Sequence, residues 1–241
     1  MTDDESTDSR GGGHDGIAWL GERWAGDGPD PLLGVQAGLV FAEGIAPQDL
    51  AVVFGAVPWE LPEPVSAAAK AVYDRTHPRT EVPDEPYLTA YGREGDWSFL
   101  AGNFDYLLHF REGFALPPGT GRAVLLYNIS AKGMDCMAYF EDGRPVWRGE
   151  LRRSFDAREL RDGGHYFGGV PKMAFLDPAM REAGCLPDVR DVDGRPVLRG
   201  DGWIPDWRTR FLKGLGTAFG ISVSQEVFDR GGYPLTAVHW A

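Results

Sequence analysis

Three groups of residues have the types and spacing that chemistry needs. Asp105, His109 and Cys136 supply an orienting acid, a base and a thiol nucleophile, the parts of covalent catalysis. Asp105 and His109 are four positions apart, so a helix would set both on one face. Cys136 stands in the apolar run Met134 to Phe140, where a small thiol is ordinary core material. The second group is His165 and Tyr166, beside Asp162 and Lys172, in a stretch flanked by glycines. Such loops carry binding and catalytic groups when a rigid scaffold presents them. The third is Lys213-Gly214-Leu215-Gly216 with Gly220. A dinucleotide-binding turn needs a strand before its glycines and a third glycine in register. Here a helical pattern precedes them and Phe219 takes the third place, so that reading fails.

Other chemistry is thinner. Carboxylate pairs at Asp27/Asp30, Asp84/Glu85, Glu141/Asp142 and Asp191/Asp193 lie in turn-forming sequence and none has the spacing of a calcium loop. The chain has two cysteines, Cys136 and Cys185, with no Cys-x-x-Cys pair and no clustered histidines. That pattern predicts no structural zinc and no disulfide-built fold, while a single Cys136–Cys185 bridge stays open. No cofactor signature is present. Asp and Glu number 36 against 24 Lys and Arg, a formal net charge of −12. Such a surface repels phosphate backbones and anionic lipid, so neither nucleic acid nor membrane is an expected partner, and a basic protein is compatible.

The elements that must position these groups read as one α+β domain over residues 15–241, after an acidic, Gly-rich tail at 1–14. The tail has no basic start and no apolar stretch, which places the protein in the cytoplasm as an expectation. Asp15 is placed to cap a helix to about Trp24, and Val35–Phe41 alternates as a strand. Pro47 opens a short helix and Ser66–Arg75 forms another. Tyr87–Tyr91 and Trp97–Ala101 flank Gly92–Gly95 as a hairpin. Asp105–Phe114 fits helix or strand. Arg122–Ile129, Met134–Glu141 and Pro145–Leu151 continue as a meander, the last turn being Asp142-Gly143. Asp177-Pro178 starts a helix that Gly184 ends, and Asp206–Phe219 is the final long helix, stopped by Gly220. Ser224 caps a further turn and Tyr233–Trp240 closes the chain as a strand. The expectation is a mainly antiparallel central sheet with several helices packed on one side. The pieces DGRPVWRG (142–149) and DGRPVLRG (193–200) echo each other, which one good hairpin solution used twice explains.

Several short pieces together resemble a family of uncharacterised actinobacterial proteins known as a domain of unknown function. They are Trp19-Leu20, Phe41-Ala42-Glu43-Gly44-Ile45, Trp97, Asn103, Ala123-Val124 with Asn128, Glu141-Asp142-Gly143-Arg144, and Phe219-Gly220-Ile221-Ser222-Val223-Ser224-Gln225-Glu226-Val227-Phe228. The resemblance implies a single α+β domain and carries no catalytic residue across. Residues 154–205 depart from it, as an insertion would.

Two functions follow as expectations. The first is a non-enzymatic interaction module, of inhibitor or immunity type, that masks a basic partner; the residue pattern leans away from catalysis. The alternative is a small-molecule binder or enzyme that uses the loop from His165 to Lys172. The sequence fixes neither the partner nor the oligomeric state.

Overall fold

The computed structural model describes residues 16–24, 32–33, 38–77, 87–104, 113–129, 134–151, 165–167, 170–186, 189–193, 195–198, 204 and 206–239. Its centre is a seven-stranded antiparallel sheet. The strands are β1 (Gly38–Glu43), β2 (Tyr87–Glu94), β3 (Trp97–Gly102), β4 (Ala123–Ile129), β5 (Met134–Glu141), β6 (Arg144–Glu150) and β9 (Leu235–Val238), in the order β6-β5-β4-β1-β3-β2-β9. β7 (Val189–Val192) and β8 (Arg195–Leu198) form a separate hairpin. The helices are α1 (Leu20–Arg23), α2 (Pro47–Val53), α3 (Ala67–Thr76), α4 (Asp177–Glu182), α5 (Trp207–Phe219) and α6 (Gln225–Asp229), with a 3-10 helix at Pro171–Leu176 before α4. None of the described helices is long and apolar enough to cross a membrane.

Successive side chains of a strand point to opposite faces, and here both faces are apolar. Leu39, Phe41, Phe99, Val124, Leu126, Met137 and Tyr139 meet α1, α4 and α5 on the front face. Val40, Ala42, Leu100, Leu125, Ala138 and Phe140 meet α2 and α3 on the back. The central strands read as continuous apolar runs because they are buried on both sides. The α+β class and antiparallel sheet are as the sequence predicts, and helices cover the second face as well as the first.

Local chemistry sets most of the boundaries. The Ser66 hydroxyl accepts the Ala69 N–H and that of Ser224 the Val227 N–H, each capping its helix. Asp142 and Gly143, at φ 49° and 72°, form the tight β5–β6 turn, and Asp193 repeats the positive φ between β7 and β8. Two expectations need correction. The β2–β3 turn is Gly95-Asp96, not Gly92–Gly95: Gly92 stays in β2 opposite Phe99, where a Cβ would come within 2.8 Å of the Tyr233 ring and 2.9 Å of Phe99. Gly92 makes room for aromatic packing. Asp177 also does not cap α4, because its side chain is taken by His165 and the Tyr166 N–H.

Residues 154–205, read as an insertion, contribute Tyr166, Phe167, Met173, Leu176, Met180, Cys185 and Leu186 to the front core. Asp15, Val35, Ala37, Asp105, His109 and Asp162 lie outside the described residues.

Candidate functional site

The antiparallel register lays five strand ends side by side at one end of the sheet. Glu94 faces Trp97 across the β2–β3 turn, and Trp97 faces Glu43. The Glu43 N–H donates to the Arg122 carbonyl at 2.9 Å, just beyond the Ala42–Ala123 pair. Ala123 pairs with Phe140, which sets Arg122 beside Glu141. Period-two alternation from Phe41, Phe99, Val124 and Tyr139 aims Glu43, Trp97, Arg122 and Glu141 at the front face. The C-terminal end of α5 rests there through Phe219, whose ring centroid lies 5.6 Å from Trp97 and 5.7 Å from Tyr139.

Between this row and α5 lies a cleft of about 820 Å³. Glu94, Gly95, Asp96 and Trp97 form one wall, and Glu43 and Arg122 the base. Lys213, Gly216, Thr217 and residues 219–222 form the opposite wall, and residues 16–18 close a third side.

Arg122 is the centre of its electrostatics. Its Nε donates to Glu43 Oε2 at 2.9 Å, and Nη2 donates to Oε1, a bidentate pair. The guanidinium lies 5.5 Å from the Trp97 centroid and 5.4 Å from that of Phe219. This hydrogen bonding, helped by the arginine charge and opposed by burial, holds the Glu43 carboxyl below its ordinary value. The tyrosines at either side move the other way. Burial, then the hydrogen bond its hydroxyl donates to Glu141 at 3.0 Å, raises Tyr139 well above the ordinary phenol value. Tyr233 is raised likewise, by burial and then by donating to Glu94.

A general acid near neutral pH needs a raised carboxyl, and Glu43 is lowered. Tyr139 and Tyr233 stay neutral donors that hold carboxylates in place. No histidine or cysteine is among the described lining residues.

The lowered Glu43 also makes stability depend on pH. Its contribution is complete above the ordinary carboxyl value of about 4.5 and is lost as pH falls through the lower folded-state value. Because Glu43 and Arg122 are partly exposed, with side chains 23 and 43 % accessible, solvent screening keeps the effect to about 1 kcal/mol or less. In urea titrations from pH 5 to pH 3, Glu43→Gln is expected to show a shallower fall in stability than the wild type. An equal slope would mean that the pair contributes nothing.

The residues singled out in sequence are not brought to one point. His165, about half exposed, directs Nδ1 to Asp177 Oδ2, while Asp177 Oδ1 accepts the Tyr166 N–H at 3.0 Å. The Tyr166 ring is core, with centroids 5.0 Å from Phe167 and 5.5 Å from Phe211. Lys172 reaches another partner, Glu141, at 3.9 Å. Cys136 is buried on the back face and Cys185 in the front core, and no disulfide joins them. Burial pushes the Cys185 thiol up to about 12. Asp105 and His109 being outside the described residues, their relation to Cys136 has no geometry. Lys213-Gly214-Leu215-Gly216 is helix interior: a Cβ on Gly214 would meet Met180 Sδ at 2.9 Å, and one on Gly216 would meet Ile17 at 3.1 Å. Those glycines let α5 pack closely. Among the described residues no group of three His, Cys, Asp or Glu side chains is placed to hold a metal ion.

Sequence reasoning missed Glu43, Glu94, Asp96, Arg122 and the Asp177 partner of His165. A signal existed for two of them. Glu43 ends an apolar alternation and Arg122 begins another, so each continues a core-facing register with a charge. The chain matches no protein-family model, no curated protein and no solved structure.

Proposed function

We propose that this protein is a non-catalytic interaction module that masks a basic partner, and that the cleft at the Glu94–Trp97 end of the sheet is its contact surface. The observation that supports this most is the charge left over in the cleft. Glu43 takes up the charge of Arg122, and among the described lining residues Glu94 and Asp96 then stand against Lys213. The carbonyl end of the 13-residue helix α5 adds a negative pole to the opposite wall. A cation gains from all three, and the net charge of −12 would speed its approach. The test is affinity capture from cell extract at low and moderate salt, using the wild type and a Glu94→Lys/Asp96→Lys variant. A stoichiometric basic partner retained by the wild type and lost by the variant is the expected outcome. A partner held equally by both removes the cleft from the proposal, and no partner at either salt removes the function.

One observation favours the second reading, a small-ligand binder or enzyme that uses the loop from His165 to Lys172. The buried Asp177 carboxylate holds His165 Nδ1, an orientation that turns Nε2 away from it, as in sites where histidine acts as base or ligand. A thermal-shift screen over polar and aromatic metabolites decides it. A compound that raises the Tm of the wild type and not of His165→Ala supports this reading; shifts indifferent to His165 dispose of it.

A further inference from the structure

We infer that the loop carrying Trp59 is a second contact for the basic partner, whose lysine or arginine side chain lies over the indole; this rests on the reading of the protein as an interaction module. Trp59 is 71 % exposed, the most exposed of the large apolar side chains among the described residues. Trp19, Trp24, Trp97 and Trp207 are all buried. The loop joins α2 to α3 and is braced at several points. Val57 is buried, and Leu61 and Val65 pack against the back core, so its other large apolar residues turn inward. The Glu60 N–H donates to the Val57 carbonyl at 3.1 Å, and the Ser66 N–H to Asp49 Oδ1 at 2.7 Å. Pro58, Pro62 and Pro64 fix φ along it. A braced loop has already lost the conformational freedom that binding would otherwise cost. Tryptophan is also among the side chains most enriched where an interface concentrates its energy.

Charge selects the occupant. Residues 46–69 hold Asp49, Glu60 and Glu63 and no lysine or arginine. Asp49 is committed to the Ser66 N–H, whereas Glu60 and Glu63 are exposed on the same loop as Trp59. Lys70, the first cation after the loop, is paired with Asp74 at 2.6 Å. The negative face of an indole attracts a cation, and the alkyl stem of lysine or arginine covers its apolar surface. The two glutamates supply counter-charge to the same group. An anion or an anionic lipid surface meets two carboxylates and no cation on this loop. A symmetric contact with a second copy would set the same glutamates against each other.

The experiment titrates acetylated tetralysine amide and tetra-arginine amide, with acetylated tetraglutamate amide as control, into the full chain at low salt. NMR follows the Trp59 indole N–H, assigned by its loss in Trp59→Leu, and the amides of Glu60, Leu61 and Glu63. Both cationic probes are expected to shift these signals with a Kd of roughly millimolar size, and tetraglutamate to leave them unchanged. Trp59→Leu keeps an apolar side chain and removes the ring, and should weaken binding read at the loop amides by roughly 2- to 5-fold. Glu60→Gln/Glu63→Gln should weaken it by roughly the same factor. All three side chains are exposed, so an unchanged Tm shows that each variant is folded. Probe shifts that spare the loop, or equal affinity in Trp59→Leu, overturn the inference. If the captured partner is lost with Glu94→Lys/Asp96→Lys but held fully by Trp59→Leu, the loop contact fails and the interaction role stands. If the probes bind the loop as expected while no partner is captured at either salt, the loop site stands and the interaction role fails.

Discussion

Arg208→Ala is expected to lower stability by about 3–5 kcal/mol, the cost of leaving a buried charge without its partner. Arg208, near the start of α5, places Nη2 3.1 Å from Asp135 Oδ2 and 3.4 Å from Oδ1. Asp135 lies in β5 with no accessible surface, and it also accepts from Asn128 Nδ2 at 3.0 Å. The guanidinium covers the Trp24 and Trp207 rings at 5.9 and 5.3 Å, so truncation removes packing as well as charge. Urea unfolding should show a lower midpoint at unchanged slope. The control is Asp135→Leu with Arg208→Met, which removes both charges and is expected to recover most of the loss. If Arg208→Ala costs under about 1 kcal/mol, the pair is not what fixes α5 to the sheet.

Gly21→Val is expected to cost about 1–3 kcal/mol through overpacking and to weaken capture of the basic partner as well. Here α1 crosses α5 so closely that a Cβ on Gly21 would stand 2.5 Å from Thr209 Cα and 2.7 Å from the Arg208 carbonyl carbon. Both obstacles are backbone and cannot rotate aside. The helix is pinned beyond that contact, by the Trp19 indole N–H donating to the Val223 carbonyl at 2.9 Å and by Arg23 paired with Asp229 at 2.7 Å. Residues 16–18 lead directly into α1 and form one side of the cleft, so displacement of α1 is expected to reach them where the Trp19 anchor yields. Circular dichroism melts measure the first effect and capture of the basic partner the second. A variant with lowered Tm and unchanged capture would separate α1 from the site. Because the Gly21 obstacle includes Arg208 backbone, this change and Arg208→Ala should not add independently.

These effects explain why the scaffold was legible in sequence and the site largely was not. Alternation and turn residues are local signals, and they located β4, β5, β6 and the Asp142-Gly143 turn closely. Ser224 before α6 and Gly220 after α5 were visible for the same reason, since a cap acts within one helical turn. The cleft depends on cross-strand neighbours. Glu43 and Arg122 are 79 positions apart, and Tyr233 and Glu94 139 apart, distances over which a spacing rule has nothing to say. The loop from His165 drew notice through its residue types. Its real partner, Asp177, lies 12 positions on and was assigned to helix capping. The Gly92 turn failed because glycine serves packing as readily as it serves turns.

Hydrogen exchange of the chain alone and in complex with the captured basic partner tests the central claim most directly. The account predicts new protection in the 94–97 turn and in the 213–222 segment, with the amides around His165 unchanged. Protection centred on residues 165–177 with none at the cleft would contradict it.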